Sequence, residues 1–225
     1  MKHGKKYREA LKKFDTNAVF ELTQACELVK SLSFVKFDET VELSARLNLK
    51  KGQTVRDTVV LPHQFKGEKR VLVFCPPERE KEAQEAGAAY AGSSDLVEKI
   101  KGGWLDFDIA VATPDMMKDV GKLGMVLGRK GLMPNPKTGT VTNDLKSALS
   151  ELKKGRVEFR ADKTGIVHLA VGKVSMETGK IAENVNAVLS EIKRKKPADA
   201  KGEFLKTVSV SSSMGPGVWV LAKDA

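Results

Sequence analysis

What most limits the fold of this chain is a switch in hydrophobic period, made twice. Val41, Leu43, Ala45, Leu47 and Leu49 alternate strictly with polar residues, a period of two that sets one strand face on a core and the other in water. VRDTVVLP (55–62) reads as the partner of that strand, across a short turn holding Lys50, Lys51 and Gly52. From about Arg70 the alternation stops. RVLVF (70–74) and DIAVA (108–112) are short continuous apolar runs, the pattern of strands buried on both faces. Among them lie a charged helix over 78–86 ending at Gly87, a helix opened by Ser93, Ser94 and Asp95, and a helix begun by Pro114 at its first position. Beyond Gly155 the alternation returns, in RVEFR (156–160) and GIVHLAVGKV (165–174). A long helix over 177–195 follows, with Ile181, Val185, Val188, Leu189 and Ile192 on its inner face, then FLKTVSVS and VWVLA around the turn 212–217.

The two ends therefore share an antiparallel grammar that the middle lacks. The fold class expected is α+β and α/β in two domains. One is an antiparallel split α/β domain built from residues 1–64 and 156–225; the other, 65–155, is an inserted three-layer Rossmann-like α/β domain. Three consecutive small domains are the alternative, but neither terminal piece has enough strands and helices to close a core. Leu22, Ala25, Leu28, Val29 and Leu32 give an amphipathic helix over 21–32. MKHGKKYREALKKF at the start reads either as a helix with Tyr7, Leu11 and Phe14 on one face or as a basic arm that orders on binding. Thr142 or Asn143 is expected to cap a helix lined by Leu145, Ala148, Leu149 and Leu152 and stopped by Gly155.

Lys and Arg number 39 against 29 Asp and Glu, a net charge of +10, which favours nucleic acid or an anionic membrane surface as partner. No run of about 18 apolar residues is present to span a bilayer, and the N-terminal charges have no apolar stretch behind them, so a cytoplasmic protein is expected. Cys26 and Cys75 have no spacing that suggests a disulfide frame or a zinc site and read as small buried hydrophobes.

The stretch Gly121–Val141, GKLGMVLGRKGLMPNPKTGTV, packs five glycines, two prolines and four cations together with no acid. It reads as a shaped loop rather than a helix or strand, presenting Lys122, Arg129, Lys130 and Lys137 to an anion. Its 131–138 portion imitates a P-loop, yet Pro136 stands where glycine is required, and Pro134 and Pro136 remove amides from any phosphate cradle. Gly124, Gly128 and Gly131 lack dinucleotide-site spacing. His3, His63 and His168 form no metal or triad pattern, and the carboxylates sit on helices as solvated faces. No catalytic residue is named, and no cofactor or metal is expected.

Binding is better supported. The turns 162–165 and 211–217 carry hydroxyls, free amides and a cation, groups that suit ribose hydroxyls, phosphates and base edges of folded RNA. Lys36 and Phe37 precede the first alternating strand, where the ring either stacks on a base or packs in the core.

Several separated pieces then converge. HGKKYREAL near the start, KFDETVEL at 36–43, VLPH at 60–63, ATPDMM at 112–117, LGRKGLMPNPKTGTV at 127–141, VEFRADKTGIVH at 157–168 and SMGPGV at 213–218 occur in order over almost the whole chain. The chain thus resembles the ribosomal protein L-one family of bacterial type, the proteins of the mobile stalk beside the exit site of the large subunit. The resemblance implies an rRNA-binding domain made from both termini, with Lys36, Phe37, Lys163, Thr164, Thr207, Ser211, Ser213, Met214 and Gly215 at the RNA. It implies a secondary contact through Arg129, Lys130 and Lys137, help in releasing exit-site tRNA, and repression of translation by binding its own mRNA. It further implies a ribosome-associated protein that is a monomer when free. Met125 stands where the family usually has a cation, Arg129 where it has proline, and Ser213 replaces the commoner threonine. The connection over 50–56 is shorter than is common.

Overall fold

The computed structural model describes residues 4–50, 53–65, 67, 69–153, 155–197 and 202–221. His3, Lys51 and Gly52 lie outside them, as does the side chain of Lys137. In chain order the first elements are α1 (Lys5–Leu11), β1 (Val19–Phe20), α2 (Leu22–Ser31), β2 (Thr40–Leu47) and β3 (Arg56–Val60). Next come β4 (Val71–Phe74), α3 (Glu80–Glu85), β5 (Tyr90–Gly92), α4 (Ser94–Lys101), β6 (Ile109–Ala112), α5 (Met117–Gly121), α6 (Gly124–Lys130) and α7 (Leu145–Lys153). The chain closes with β7 (Arg156–Arg160), β8 (Ile166–Lys173), α8 (Thr178–Arg194), β9 (Leu205–Ser212) and β10 (Val218–Val220). Two compact units result, Met1–Phe65 with Val157–Ala225, and Lys66–Arg156.

In the unit made from both termini, five strands form a sheet in the order β1-β10-β9-β2-β8. All neighbours are antiparallel except β1 and β10. Alternation works as the period of two requires: Val41, Leu43, Ala45 and Leu47 are buried, as are Val167, Leu169 and Val171 of β8 and Val208 and Val210 of β9. Leu22, Ala25, Cys26 and Val29 of α2 and the Ile181, Val185, Val188, Leu189 and Ile192 stripe of α8 join them in one core. Asn184 is a fully buried polar residue on α8. Its amide donates to the carbonyls of His63 and Val171, both at 2.8 Å, and its Oδ1 accepts from the amide of His63 at 2.9 Å. Burial pushes the Cys26 thiol up to about 11, and Cys75 is buried as well, so both behave as small core residues.

The expected pairing of 55–62 with the first alternating strand is not what forms. β3 pairs with β7 in a separate two-stranded sheet. The reason is occupancy: β2 has β8 on one edge and β9 on the other, through seven residue pairs each, and offers no free edge.

The other unit holds a parallel sheet in the order β5-β4-β6. Leu72 and Phe74 of β4 join a core with Leu96, Val97 and Ile100 of α4, Val120 of α5 and Leu127 of α6. Val71 and Val73 join another with Ala83 of α3 and Leu145, Leu149 and Leu152 of α7. One strand feeding two cores is why the run 71–74 is apolar throughout, and it makes three layers.

Within Gly121–Val141 the loop reading needs correcting. Residues 124–130 are helical and end at Gly131, whose φ of 71° is the left-handed cap that glycine adopts without strain. Leu123 and Leu127 are buried to 1% and 0% exposure. Burying two leucines is worth about 1.5–3 kcal/mol each, against about 1 kcal/mol for an interior glycine, so tertiary packing outweighs local propensity. Only the second half is a shaped turn. Asn135 O accepts from the hydroxyls of Thr138 and Thr140 at 3.0 and 3.1 Å, and Val141 bridges to Ala112. The hydroxyl that a P-loop would present to a metal is thus spent inside the turn. Asp144, rather than Thr142 or Asn143, caps α7: its Oδ1 accepts from the amide of Ser147 at 3.1 Å.

Candidate nucleic-acid interface

One face of the five-stranded sheet is covered by α2 and α8; the other carries the alternate, polar side chains. On β2 these are Thr40, Glu42, Ser44 and Arg46, and on β9 they include Thr207, Ser209 and Ser211. Register fixes the rows: Glu42 lies opposite Ser211, Ser44 opposite Ser209 and Arg46 opposite Thr207. On the other edge of β2, Ser44 lies opposite His168, and its hydroxyl is 3.0 Å from His168 Nδ1. Alternation seen in the sequence located these strands, but only the pairing shows that their wet positions merge into one hydroxyl-rich surface.

At the β9–β10 end the chain turns through 213–217, and β2 holds that turn in place. Ser213 Oγ accepts from the amide of Thr40 at 3.2 Å and donates to the Thr40 carbonyl at 3.3 Å. The amide of Met214 donates to Oε1 of Glu39 at 2.9 Å. Glu39 is fully buried, and its Oε2 makes no hydrogen bond among the described residues. Such a buried carboxylate is costly unless held by donors, and its role as a latch is invisible in sequence. The Gly215 amide donates to the buried Ser212 Oγ at 3.2 Å. A Cβ at Gly215 would stand 2.4 Å from that oxygen, so the Ser212 hydroxyl or the turn must shift to admit a side chain. Beside the turn, Lys5, Lys6 and Phe34 help line a groove of about 590 Å³ with Ser213, Met214 and Gly215. Phe37 is 57% exposed, so it does not pack in the core. Lys36 is also exposed.

The opposite end of β2 carries the second predicted turn. Asp162 binds the amides of Thr164 and Ile166, both at 2.8 Å, and accepts from the Thr164 hydroxyl at 2.7 Å. Those bonds, from the Ile166 amide first and Thr164 next, hold the Asp162 carboxyl below the usual range. Lys163 and Thr164 are exposed, and with Lys50, Gln53 and Arg160 they line a groove of about 640 Å³.

The structure thus gathers Lys36, Phe37, Ser211, Ser213, Met214 and Gly215 toward one end of the sheet, and Thr207, Lys163 and Thr164 toward the other. Between the ends of β2, seven residue steps at about 3.3 Å make roughly 23 Å. Arg129 and Lys130 are exposed in the last turn of α6, in the inserted unit.

A split antiparallel unit interrupted by a three-layer α/β unit is compatible with a two-domain structural ribosomal protein family. The chain belongs to that family: residues 29–216 match the model described as the ribosomal protein L1p/L10e family. It is 70% identical over 220 residues, 98% of this chain and 97% of the relative, to a Treponema denticola protein. A Treponema pallidum (strain Nichols) protein is 63% identical over 224 residues, 100% of this chain and 99% of its own length. One from Borrelia hermsii is 57% identical over 217 residues, 96% and 97% of the two chains. Each of the three carries the name large ribosomal subunit protein uL1.

Proposed function

We propose that this chain is a structural protein of the large ribosomal subunit that binds folded rRNA through the exposed sheet face of the unit made from both termini. The observation that carries this reading is the latched 213–215 turn. Ser213 and Met214 are held on Glu39 and Thr40 by three hydrogen bonds and Gly215 on Ser212 by a fourth, with Lys36 and Phe37 exposed a few residues before Glu39 in the chain. A rigid cluster of hydroxyls and backbone groups, spread over about 23 Å, fits shape and ribose recognition better than base reading by a helix. Ser213 acts in this reading as a positioning residue, because its hydroxyl is bonded to the backbone of Thr40. Phe37 offers a stacking face, and the net charge of +10 supplies long-range attraction.

The reading extends to two further partners. Exit-site tRNA would meet the inserted unit near Arg129 and Lys130, and an mRNA segment shaped like the rRNA site would compete for the same sheet face and repress translation. The protein is a monomer when free and ribosome-associated once docked. Filter binding to a large-subunit rRNA fragment tests the core of this: Phe37→Ala and Ser213→Val are each expected to weaken binding about tenfold or more, as loss of about 1–3 kcal/mol of stacking or positioning would. Unchanged affinity in a folded variant removes that residue from the site.

A further inference from the structure

Trp219 sits where the alternation of β10 turns it away from the core. Val218 and Val220 on either side are buried to 0% and 4% exposure, while Trp219 is 41% exposed. Its partners in the sheet are Val19 of β1 and Ser209 of β9, so it shares a cross-strand row with Ser209, Ser44 and His168. Thr207 and Ser211 are its diagonal neighbours on β9, about 7–8 Å away and within reach of an aromatic side chain.

We infer that Trp219 is a stacking platform for an unpaired RNA base on β10 of this sheet face, extending the site beyond Phe37. The inference rests on the reading of that face as RNA-binding. Exposed aromatics on an antiparallel sheet hold bases by their π-faces, whatever the sequence, while neighbouring hydroxyls meet the sugars. Here the indole is bordered by the hydroxyls of Thr207, Ser209 and Ser211, with Arg46 and His168 further across the same face. Among the described residues, an apolar protein partner would find Val19 and Leu221 as the large apolar side chains exposed beside it, whereas β2 and β9 present Thr40, Glu42, Ser44, Arg46, Thr207, Ser209 and Ser211 on this face and the chain carries +10. That balance selects RNA as the occupant.

The chain has two tryptophans, and Trp104 packs edge-on against Tyr90 in the inserted unit, with ring centroids 4.8 Å apart. Trp104→Phe therefore leaves Trp219 as the sole indole reporter. Titrating this protein with a large-subunit rRNA fragment is expected to quench its emission, with the midpoint found by filter binding. Adding Trp219→Ser is expected to weaken binding about 5- to 100-fold, while Trp219→Phe retains most of the affinity. If the RNA binds with emission unchanged and Trp219→Ser costs nothing, the platform is refuted and the reading of the remaining face stands. Emission that responds to intact large subunits but not to the rRNA fragment would assign the indole to a protein partner, and likewise refutes it. Failure of the parent protein to bind the fragment overturns both. Should Trp219→Ser not fold, the quenching titration alone decides.

Discussion

Replacing Gly215 by alanine places a Cβ 2.4 Å from Ser212 Oγ, the oxygen that now accepts the Gly215 amide at 3.2 Å. The φ of Gly215 is not in the left-handed region, so the cost comes from contact rather than from backbone conformation. Ser212 is only 4% exposed, so its hydroxyl has little access to water. Relief requires breaking the Ser212–Gly215 bond, worth about 1 kcal/mol, and leaving a buried hydroxyl short of a partner, about 1–3 kcal/mol more. A destabilisation of about 2–3 kcal/mol follows. The displaced turn also draws the Met214 amide off Glu39, so rRNA affinity is expected to fall about tenfold or more, in step with a loss of about 1.4 kcal/mol or greater. Gly217 provides the control within the same turn: a Cβ there meets nothing within 4 Å, and Gly217→Ala should stay within about 0.5 kcal/mol of the parent. Urea unfolding measures the first quantity and filter retention of an rRNA fragment the second. Equal behaviour of the two alanine variants in both assays would refute the close-approach argument.

Asn184→Leu removes three hydrogen bonds and strands the buried Val171 carbonyl. A loss of about 3 kcal/mol is expected, read calorimetrically as a fall of roughly 10 °C in the transition of that unit; a shift under about 2 °C would contradict it. Asp162→Ala tests the turn that holds Lys163. Because the folded carboxyl titrates below its ordinary value, wild-type Asp162 stabilises the fold above about pH 4 and loses that contribution as the pH falls through the depressed value. The gap in urea midpoint between the two proteins should therefore be full at pH 7 and shrink in strong acid, and a gap independent of pH would sink the assignment.

Much of the fold was legible because it rests on local patterns. The β2 alternation, the α8 stripe and the 71–74 run each announce one element and the faces it buries. Pairing was less legible. Nothing in 55–62 says that β2 is already flanked on both sides, since an edge is taken by residues 120 and more positions away in the chain. The segment 124–130 misled for a related reason: its glycines speak against a helix locally, and the burial that reverses the outcome comes from contacts with β4, α4 and α5. Phe37 shows the same limit in the other direction. Its sequence neighbourhood suited stacking or core packing equally, and its exposure removed the second choice.

By itself the sequence determined the periods, the positive charge, the family motifs and the kinds of group available: hydroxyls, amides, cations and an aromatic before β2. Those are properties of residues and their near neighbours, and they survive without coordinates. Tertiary structure alone decided that Glu39 is buried under Met214, that Ser213 is tied to Thr40, and that Trp219 shares a row with Ser209, Ser44 and His168. These are long-range pairings, and their register depends on how every strand of the sheet buries its apolar face at once.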